Sequence, residues 1–251
     1  MQVEVITLFP EMVEQGLGYG VPRIAREKGA LALHARNPRD YADNRHRSVD
    51  DRPFGGGPGM VMQAPPVVAA IEASRAALPG TRVVAMSPQG ERLDQHWLQA
   101  LAGLPALTLV CGRYEGLDER IQAAVDCELS LGDFVMSGGE LAAMSVIDGI
   151  ARLLPEVLGH EDSARDESFV EDLLDYPHYT RPKSWRGRSV PEVLLSGDHA
   201  RIARWRFQQA LGNTWLKRPD ILESISLSEE SKALLGEFIA QQQERVRKEK
   251  A

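Results

Sequence analysis

Three glycine-containing loops, each directly after a predicted strand, are the segments of this chain best suited to hold a small molecule. They run from Ser87 to Gly90, from Gly112 to Gly116 and from Leu131 to Gly139. Glycine lets backbone amide and carbonyl groups approach a ligand closely. In open α/β sheets, ligands bind beyond the carboxyl ends of the strands. The three loops together therefore predict a small-molecule site.

A fourth loop, from Asp50 to Met60, is the richest in glycine and proline. Four glycines and two prolines lie within residues 53–60, a composition that excludes both helix and strand. A long loop of this kind in a compact domain is usually functional or disordered. Its residue types alone favour a flexible surface loop over a binding site.

Several common catalytic signatures do not occur in the sequence. It contains no G-x-G-x-x-G, no G-x-x-x-x-G-K-[ST], no H-E-x-x-H and no G-x-S-x-G. The six histidines are scattered, and an isolated histidine is more often structural than a ligand. A classical dinucleotide enzyme, a P-loop ATPase, a zinc hydrolase and an α/β-hydrolase are therefore all disfavoured.

The elements that would position these loops alternate between strand and helix. Apolar, β-branched runs predict strands near 3–8, 31–35, 82–86, 106–111 and 126–130. Helices are predicted near 20–28, 65–77, 94–102, 118–124 and 140–153. This alternation indicates a mostly parallel α/β sheet covered by helices. After Pro155 a polar stretch leads to two helices, capped by Asp198 and Ser228, and these predict a second, small helical domain.

Charge is distributed unevenly along the chain. The net charge is −7, yet residues 178–219 contain nine lysines or arginines and two acids, a net charge of +7. This asymmetry indicates that one region contacts a polyanion, although a solvated basic face is the alternative. With two cysteines, no long apolar run and no basic start to an N-terminal apolar segment, we expect a reduced, cytoplasmic protein without a signal peptide or membrane span.

Five segments, taken in order, closely resemble the bacterial tRNA (guanine-37-N1)-methyltransferases. The resemblance extends from the first predicted strand to the last helix and is highly specific. The matching segments are Arg47 to Pro53 with the glycine run after it, Leu109 to Arg120, Gly132 to Leu141, Pro177 to Pro182 and Leu194 to His199.

The resemblance implies a SPOUT-type α/β domain with a C-terminal trefoil knot, acting as a homodimer with active sites at the subunit interface. We expect a knotted catalytic domain over 1–159, a flexible linker over 160–171 and an all-α tRNA-binding domain over 172–251. The methyl donor S-adenosylmethionine would bind the knot loops. The implied donor-binding residues are Met86, Ser87, Pro88, Gln89, Gly90, Gly112, Tyr114, Glu115, Gly116, Leu131, Gly132, Asp133, Phe134, Val135, Met136, Ser137, Gly138 and Gly139.

For catalysis, the resemblance implies an arginine that stabilises negative charge on guanine O6 and an aspartate that removes the N1 proton. The arginine matches Arg152, which by itself would be interpreted as a cation that favours a helix C-terminus. The aspartate belongs to an acidic-Asp-Ser-Phe pattern in the linker, and here the sequence departs from that pattern. Glu167 occupies the position of the base and Asp166 precedes it. Both carboxylates have adequate basicity, and we favour Asp166.

The resemblance and the basic segment both indicate that the second domain binds tRNA. Its three tryptophans could stack on unpaired bases, although each is individually better explained as a core residue. The family also implies a magnesium requirement, but no dedicated metal-ligand cluster is visible. A related SPOUT enzyme with another RNA target, and an RNA-binding homologue with impaired catalysis, remain alternatives. The implied tRNA contacts are Asp50, Gly57, Pro58, Gly59, His178, Tyr179, Arg181, Ser196, Gly197, His199 and Arg204.

Overall fold

The computed structural model describes residues 1–159, 168–169 and 172–249. Contacts between residues divide the chain into two compact units, Met1–Glu161 and Asp162–Ala251. The predicted linker, 160–171, lies almost entirely outside the described residues, so its boundaries stay a prediction.

A five-stranded sheet forms the centre of the first unit, and all its strands pair in parallel. In order across the sheet, the strands are β2 (Ala32–Arg36), β1 (Gln2–Ile6), β6 (Ala106–Cys111), β5 (Arg82–Arg92) and β7 (Cys127–Ser130). The α/β prediction is therefore confirmed at the level of a parallel sheet with helices. All six residues of β6 are buried, because it lies in the middle of the sheet. Two short strands, β3 (Asp50–Asp51) and β4 (Val61–Met62), form a separate pair.

Helices cover both faces of this sheet. Successive strand residues point to opposite faces, and β5 shows this, since Val84 belongs to one hydrophobic cluster while Val83 belongs to the other. Residues of α1 (Pro10–Gly16), α2 (Gly20–Glu27) and α5 (Glu140–Leu153) join the first cluster, and residues of α3 (Ala64–Ala77) join the second. A further helix of this unit is α4 (Gln95–Ala102).

Local sequence patterns, a cap for α4 and an apolar run for α5, predicted these two helices well. The Asp94 carboxylate accepts a hydrogen bond from the Trp97 backbone amide at 2.8 Å, which confirms the expected N-cap of α4. Helix α5 has the predicted bounds. Strand β5 differs from the prediction because it continues to Arg92, with a register shift after Met86 that makes residues 87–90 a bulge within the strand.

The second unit is built around helices α6 (His199–Lys217), α7 (Pro219–Ser224) and α8 (Glu229–Glu249). Asp198 and Ser228 accept backbone hydrogen bonds at the starts of α6 and α8, as predicted. Both helices extend beyond their predicted ends near residues 211 and 247. Leu211 and Leu234 form the centre of a small core. The sequence predicted a purely helical unit. The structure also contains an antiparallel hairpin, formed by β8 (Ser184–Trp185) and β9 (Arg188–Ser189).

Candidate functional site

The carboxyl ends of β5, β6 and β7 meet at one edge of the sheet, because the three strands are parallel neighbours. The segments that follow or interrupt them surround a cavity of about 300 Å³. This is the arrangement expected of a ligand site in an open α/β sheet. The structure thus brings the three glycine-containing loops together, as the sequence predicted.

Sixteen of the eighteen predicted donor-binding residues line this cavity. The other two, Gly90 and Asp133, do not. Gly90 instead packs on β7, where an added Cβ would lie only 2.5 Å from the Leu129 backbone nitrogen. Asp133 is exposed. The predicted residues that line the cavity are Met86, Ser87, Pro88, Gln89, Gly112, Tyr114, Glu115, Gly116, Leu131, Gly132, Phe134, Val135, Met136, Ser137, Gly138 and Gly139.

Eight further residues line the cavity without having been predicted. They are Arg113, Leu117, Glu119, Gln122, Glu128, Leu129, Ser130 and Ala142. Most come from the 3₁₀ turn Glu119–Ala124, from β7 or from the first turn of α5, which are regular elements and not glycine-rich loops. Arg113 lies inside the predicted second loop, and its position between Gly112 and Tyr114 was the signal that could have identified it.

Gly139 lies where the cavity meets the ends of two adjacent strands. An added Cβ would lie 2.9 Å from the Cys111 Cα, 3.1 Å from the Met86 Cβ and 3.2 Å from the Gly112 nitrogen. The Gly139 amide also donates a hydrogen bond to the Gly112 carbonyl at 2.9 Å. Gly139 therefore packs against the ends of both β5 and β6, where a side chain has no room.

A buried ion pair connects the loop after β6 to the start of α5. The Arg113 Nε donates to Glu140 Oε2 at 2.8 Å, and the Thr7 hydroxyl donates to Glu140 Oε1 at the same distance. The Glu140 side chain is 1% exposed and that of Arg113 is 17% exposed. The guanidinium carbon of Arg113 also lies 4.5 Å from the centroid of the Phe9 ring. Three separate chain segments are thus fixed around one wall of the cavity.

The glycine-rich loop lies beside the same cavity. The Glu115 amide donates to the Met60 carbonyl at 2.9 Å, and the Met62 amide donates to the Gly116 carbonyl at 2.9 Å. Gly59, with a φ of +79°, contacts the Glu115 side chain so closely that an added Cβ would collide with it. Of the predicted tRNA contacts in this loop, Asp50 belongs to β3, while Gly57 and Pro58 lie outside regular secondary structure and are exposed.

Of the three predicted catalytic residues, the structure describes one. Arg152 lies in the last turn of α5 and is half-buried. Asp166 and Glu167 lie outside the described residues, so the structure does not decide between them.

In the second unit, the predicted tRNA contacts fall into two groups. His178, Tyr179 and Arg181 line a groove, and the His178 ring contacts the Asp175 carboxylate at 2.7 Å. A second group, Ser196, Gly197 and His199, surrounds the start of α6.

Arg204 has a structural partner as well as a predicted role. Its guanidinium pairs with the Glu237 carboxylate of α8 at 2.9 Å, and about half of each side chain is exposed. Gln208 donates to the same carboxylate at 3.0 Å. Arg204 therefore helps to hold α6 against α8.

Two titratable groups near the cavity have shifted pKa values. Burial raises the pKa of the Cys111 thiol well above its usual range, so this thiol stays protonated and is a poor nucleophile. Hydrogen bonds from Arg120 lower the pKa of Asp118 to about 2, so that Asp118 is ionised at neutral pH. Neither shift suggests a covalent intermediate at this site.

The described residues include neither a metal-ligand cluster nor a helix that could span a membrane. They contain no group of three or more histidines, cysteines, aspartates or glutamates placed to hold a metal ion. Within the same part of the chain, every helix is too short or too polar to cross a membrane.

A family model and several curated relatives match most of this chain. The family model described as tRNA (Guanine-1)-methyltransferase TrmD matches residues 1–224. A relative from Halorhodospira halophila, named tRNA (guanine-N(1)-)-methyltransferase, is 56% identical over 98% of this chain and 94% of its own length. Relatives with the same name from Idiomarina loihiensis and Sodalis glossinidius are 54% and 53% identical, and the matches cover 96% and 98% of this chain and 97% and 98% of theirs. The chain therefore belongs to the tRNA (guanine-1)-methyltransferase TrmD family.

Proposed function

We infer that this protein transfers a methyl group from S-adenosylmethionine to N1 of a guanine in tRNA, and we propose that the guanine is at position 37, next to the anticodon. Family membership over nearly the whole chain supports the reaction. The single structural observation that carries it is the cavity at the carboxyl ends of β5, β6 and β7. Because tRNA is the substrate, we propose that the protein works in the cytoplasm.

The cavity has the chemistry that the methyl donor requires. S-Adenosylmethionine combines a flat aromatic adenine, a sulfonium cation and a polar amino-acid end. Apolar side chains such as Leu131 and Met136 line the cavity, together with the backbone of Gly112 and Gly138. Three carboxylates, on Glu115, Glu119 and Glu128, line it as well and favour a bound cation. We therefore propose that the donor binds here.

Gly139→Ala tests this placement. The added Cβ would lie 2.9 Å from the Cys111 Cα, so the backbone between β5 and β6 would have to move and deform the cavity. We expect donor affinity, measured by calorimetry, to fall at least about tenfold, since each 1.4 kcal/mol of lost binding is a factor of ten. In the matched control Gly103→Ala, the nearest contact is 3.5 Å and lies outside the cavity, so affinity should be unchanged. Equal affinities in both variants would contradict a donor site at Gly139.

The reaction itself requires a proton acceptor and a cation. Guanine N1 carries a proton and becomes a good nucleophile only when that proton leaves. A positioned general base typically contributes about 10²–10⁴-fold to such a step. As the proton leaves, negative charge develops on O6, where a fixed cation stabilises it. We propose Arg152 as the cation and Asp166 as the base, with Glu167 as the alternative.

We also propose that the first unit contains the trefoil knot of SPOUT enzymes. Its support is membership of the TrmD family, together with the close packing of Gly139 against the ends of β5 and β6 immediately before α5. Such a knot would thread the chain through one of its own loops, which ordinary folds avoid.

A homodimer is the assembly that we propose for this enzyme. Several large apolar side chains at or near the cavity are exposed, among them Phe134 at 55%, Val135 at 93% and Leu141 at 50%. Exposed apolar surface of this kind usually marks an interface. We propose that a second copy covers it, which sedimentation at several protein concentrations would test.

We propose that the second unit supplies most of the tRNA contacts. The net charge of +7 over residues 178–219 supports this, because phosphate contacts from lysine and arginine position an RNA. A magnesium ion is a further expectation from the family. The described residues do not by themselves form a site for it.

Methyl transfer from labelled donor tests the function directly. Purified protein should label a tRNA that has guanine at position 37 and should not label the same tRNA with adenine there. Mapping of the modified nucleotide would separate this enzyme from a relative that methylates another RNA site. If guanine-37 tRNA stayed unlabelled while the protein bound the donor, the proposed function would be wrong.

A further inference from the structure

A short hairpin in the second unit contains Trp185, one of the three tryptophans for which the sequence allowed either a core role or a stacking role. Strands β8 and β9 pair Ser184 with Ser189 and Trp185 with Arg188. The two residues between them, Arg186 and Gly187, have φ values of +51° and +75°. Positive φ at both central positions is the geometry that fits the twist of a two-residue hairpin. The hairpin therefore has a defined shape that presents its side chains in fixed positions.

The main side chain on this hairpin is an exposed tryptophan. Trp185 is 59% exposed, and it is not part of the apolar core of the unit. The guanidinium carbon of Arg186 lies 4.3 Å from the centroid of a Trp185 ring. This cation–π contact orients the indole while leaving more than half of the side chain in solvent. An oriented, exposed indole is a surface on which a flat ring can stack.

Positive charge surrounds this tryptophan. Residues 178–190 contain four lysines or arginines and no aspartate or glutamate. A groove of about 400 Å³ is lined by Trp185 together with the cationic residues Arg181, Lys183 and Arg188. None of these three cations has an ion-pair partner among the residues that the structure describes. The groove thus offers unneutralised charge to a polyanion.

We propose that this hairpin groove binds an unpaired nucleotide of the tRNA, with its base stacked on Trp185 and its flanking phosphates held by Lys183 and Arg188. The proposal rests on the proposed function, because tRNA is the RNA that the enzyme must hold. Cations beside an oriented aromatic ring are the combination that single-stranded nucleic acid requires. An acidic peptide would satisfy the cations but has no flat ring to cover the indole. The site is additional to the one that receives the target guanine.

Binding of tRNA, measured without methyl donor, tests the stacking. Trp185→Ala should weaken tRNA binding by about tenfold, whereas Trp185→Phe, which keeps an aromatic face, should stay within about threefold of the native protein. Both variants should unfold at the native temperature, because Trp185 is outside the core. Equal binding by all three proteins would overturn the proposal, as would equal losses in the two variants.

The fluorescence of Trp185 gives a second readout that does not depend on folding of the alanine variant. A uridine oligonucleotide should quench part of the tryptophan emission. That part should disappear in Trp185→Phe and persist in Trp215→Phe, which removes a half-exposed tryptophan of α6. If the quenching were the same in native protein and Trp185→Phe, the base would not stack on Trp185.

The salt dependence of binding tests the phosphate contacts. Loss of one contact to a single strand reduces the slope of log affinity against log salt concentration by about 0.7. Arg188→Gln should show this reduction, whereas Lys232→Gln in α8, which removes a cation already paired with Glu229, should not. An unchanged slope in Arg188→Gln would contradict the contact.

These experiments distinguish failure of the proposed groove from failure of the proposed function. If the native protein bound tRNA through Trp185 but transferred no methyl group, the proposed function would fail and the groove would stand. If methyl transfer were normal and Trp185→Ala bound tRNA as the native protein does, the groove would be excluded and the proposed function would stand.

Discussion

Glu140→Ala is expected to lower the free energy of unfolding by about 3–5 kcal/mol, the usual cost of removing one partner from a buried ion pair. The substitution leaves the Arg113 guanidinium, whose side chain is only 17% exposed, without its carboxylate. The Thr7 hydroxyl loses its acceptor at the same time. Urea denaturation of the native and variant proteins would measure the difference. Because Arg113 lines the cavity, the fraction that stays folded should also bind the donor more weakly.

Two controls make this result specific to the buried pair. Glu140→Gln keeps the side-chain shape and one oxygen acceptor, so it should lose less stability than the alanine variant. Glu229→Ala breaks the surface pair with Lys232, in which the side chains are 90% and 58% exposed, and should change stability little. A Glu140→Ala protein as stable as the native one would show that the Arg113–Glu140 contact contributes nothing.

Asp166→Asn is expected to slow methyl transfer by about 10²–10⁴-fold in single-turnover assays, since it removes the proposed base for guanine N1. The variant cannot accept the proton, so the part of the pH–rate profile that reports ionisation of the base should also disappear. Binding of donor and of tRNA should be retained, because asparagine keeps the size and polarity of the side chain.

Glu167→Gln is the matched variant. If Asp166 is the base, this neighbour should react within a few-fold of the native rate. If Glu167→Gln were the slow variant and Asp166→Asn the fast one, the base would be Glu167. Full activity in both would remove the proposal that a carboxylate of this segment is the base.

Local patterns in the sequence were sufficient for the elements whose causes are local. The mostly apolar run of β6 and the apolar sequence of α5 predicted those elements with the observed bounds. The Asp94 cap depends on residues three positions apart, so it too was visible. The meeting of three loops at one edge followed from the parallel order of the strands that precede them.

Features that depend on distant residues could not be predicted in this way. Gly90 looked like a loop glycine, but it packs on the backbone of β7, and this closeness appears only when the strands are assembled. Arg113 and Glu140 are 27 residues apart, and each alone looks like an ordinary surface charge. The hairpin at Trp185 was missed because two-residue strands carry too little apolar periodicity to be detected.

The position of Gly139 has a consequence for the newly made protein. The cavity needs Gly139 against the ends of β5 and β6, so a growing chain that stops before this residue lacks one of its walls. Helix α5, which ends at Leu153, must then pack on a sheet whose strands are far apart in sequence. Contacts of this kind form slowly. We therefore expect a newly made chain to bind the donor only after about the first 153 residues have emerged, and we expect added S-adenosylmethionine not to rescue a chain truncated earlier.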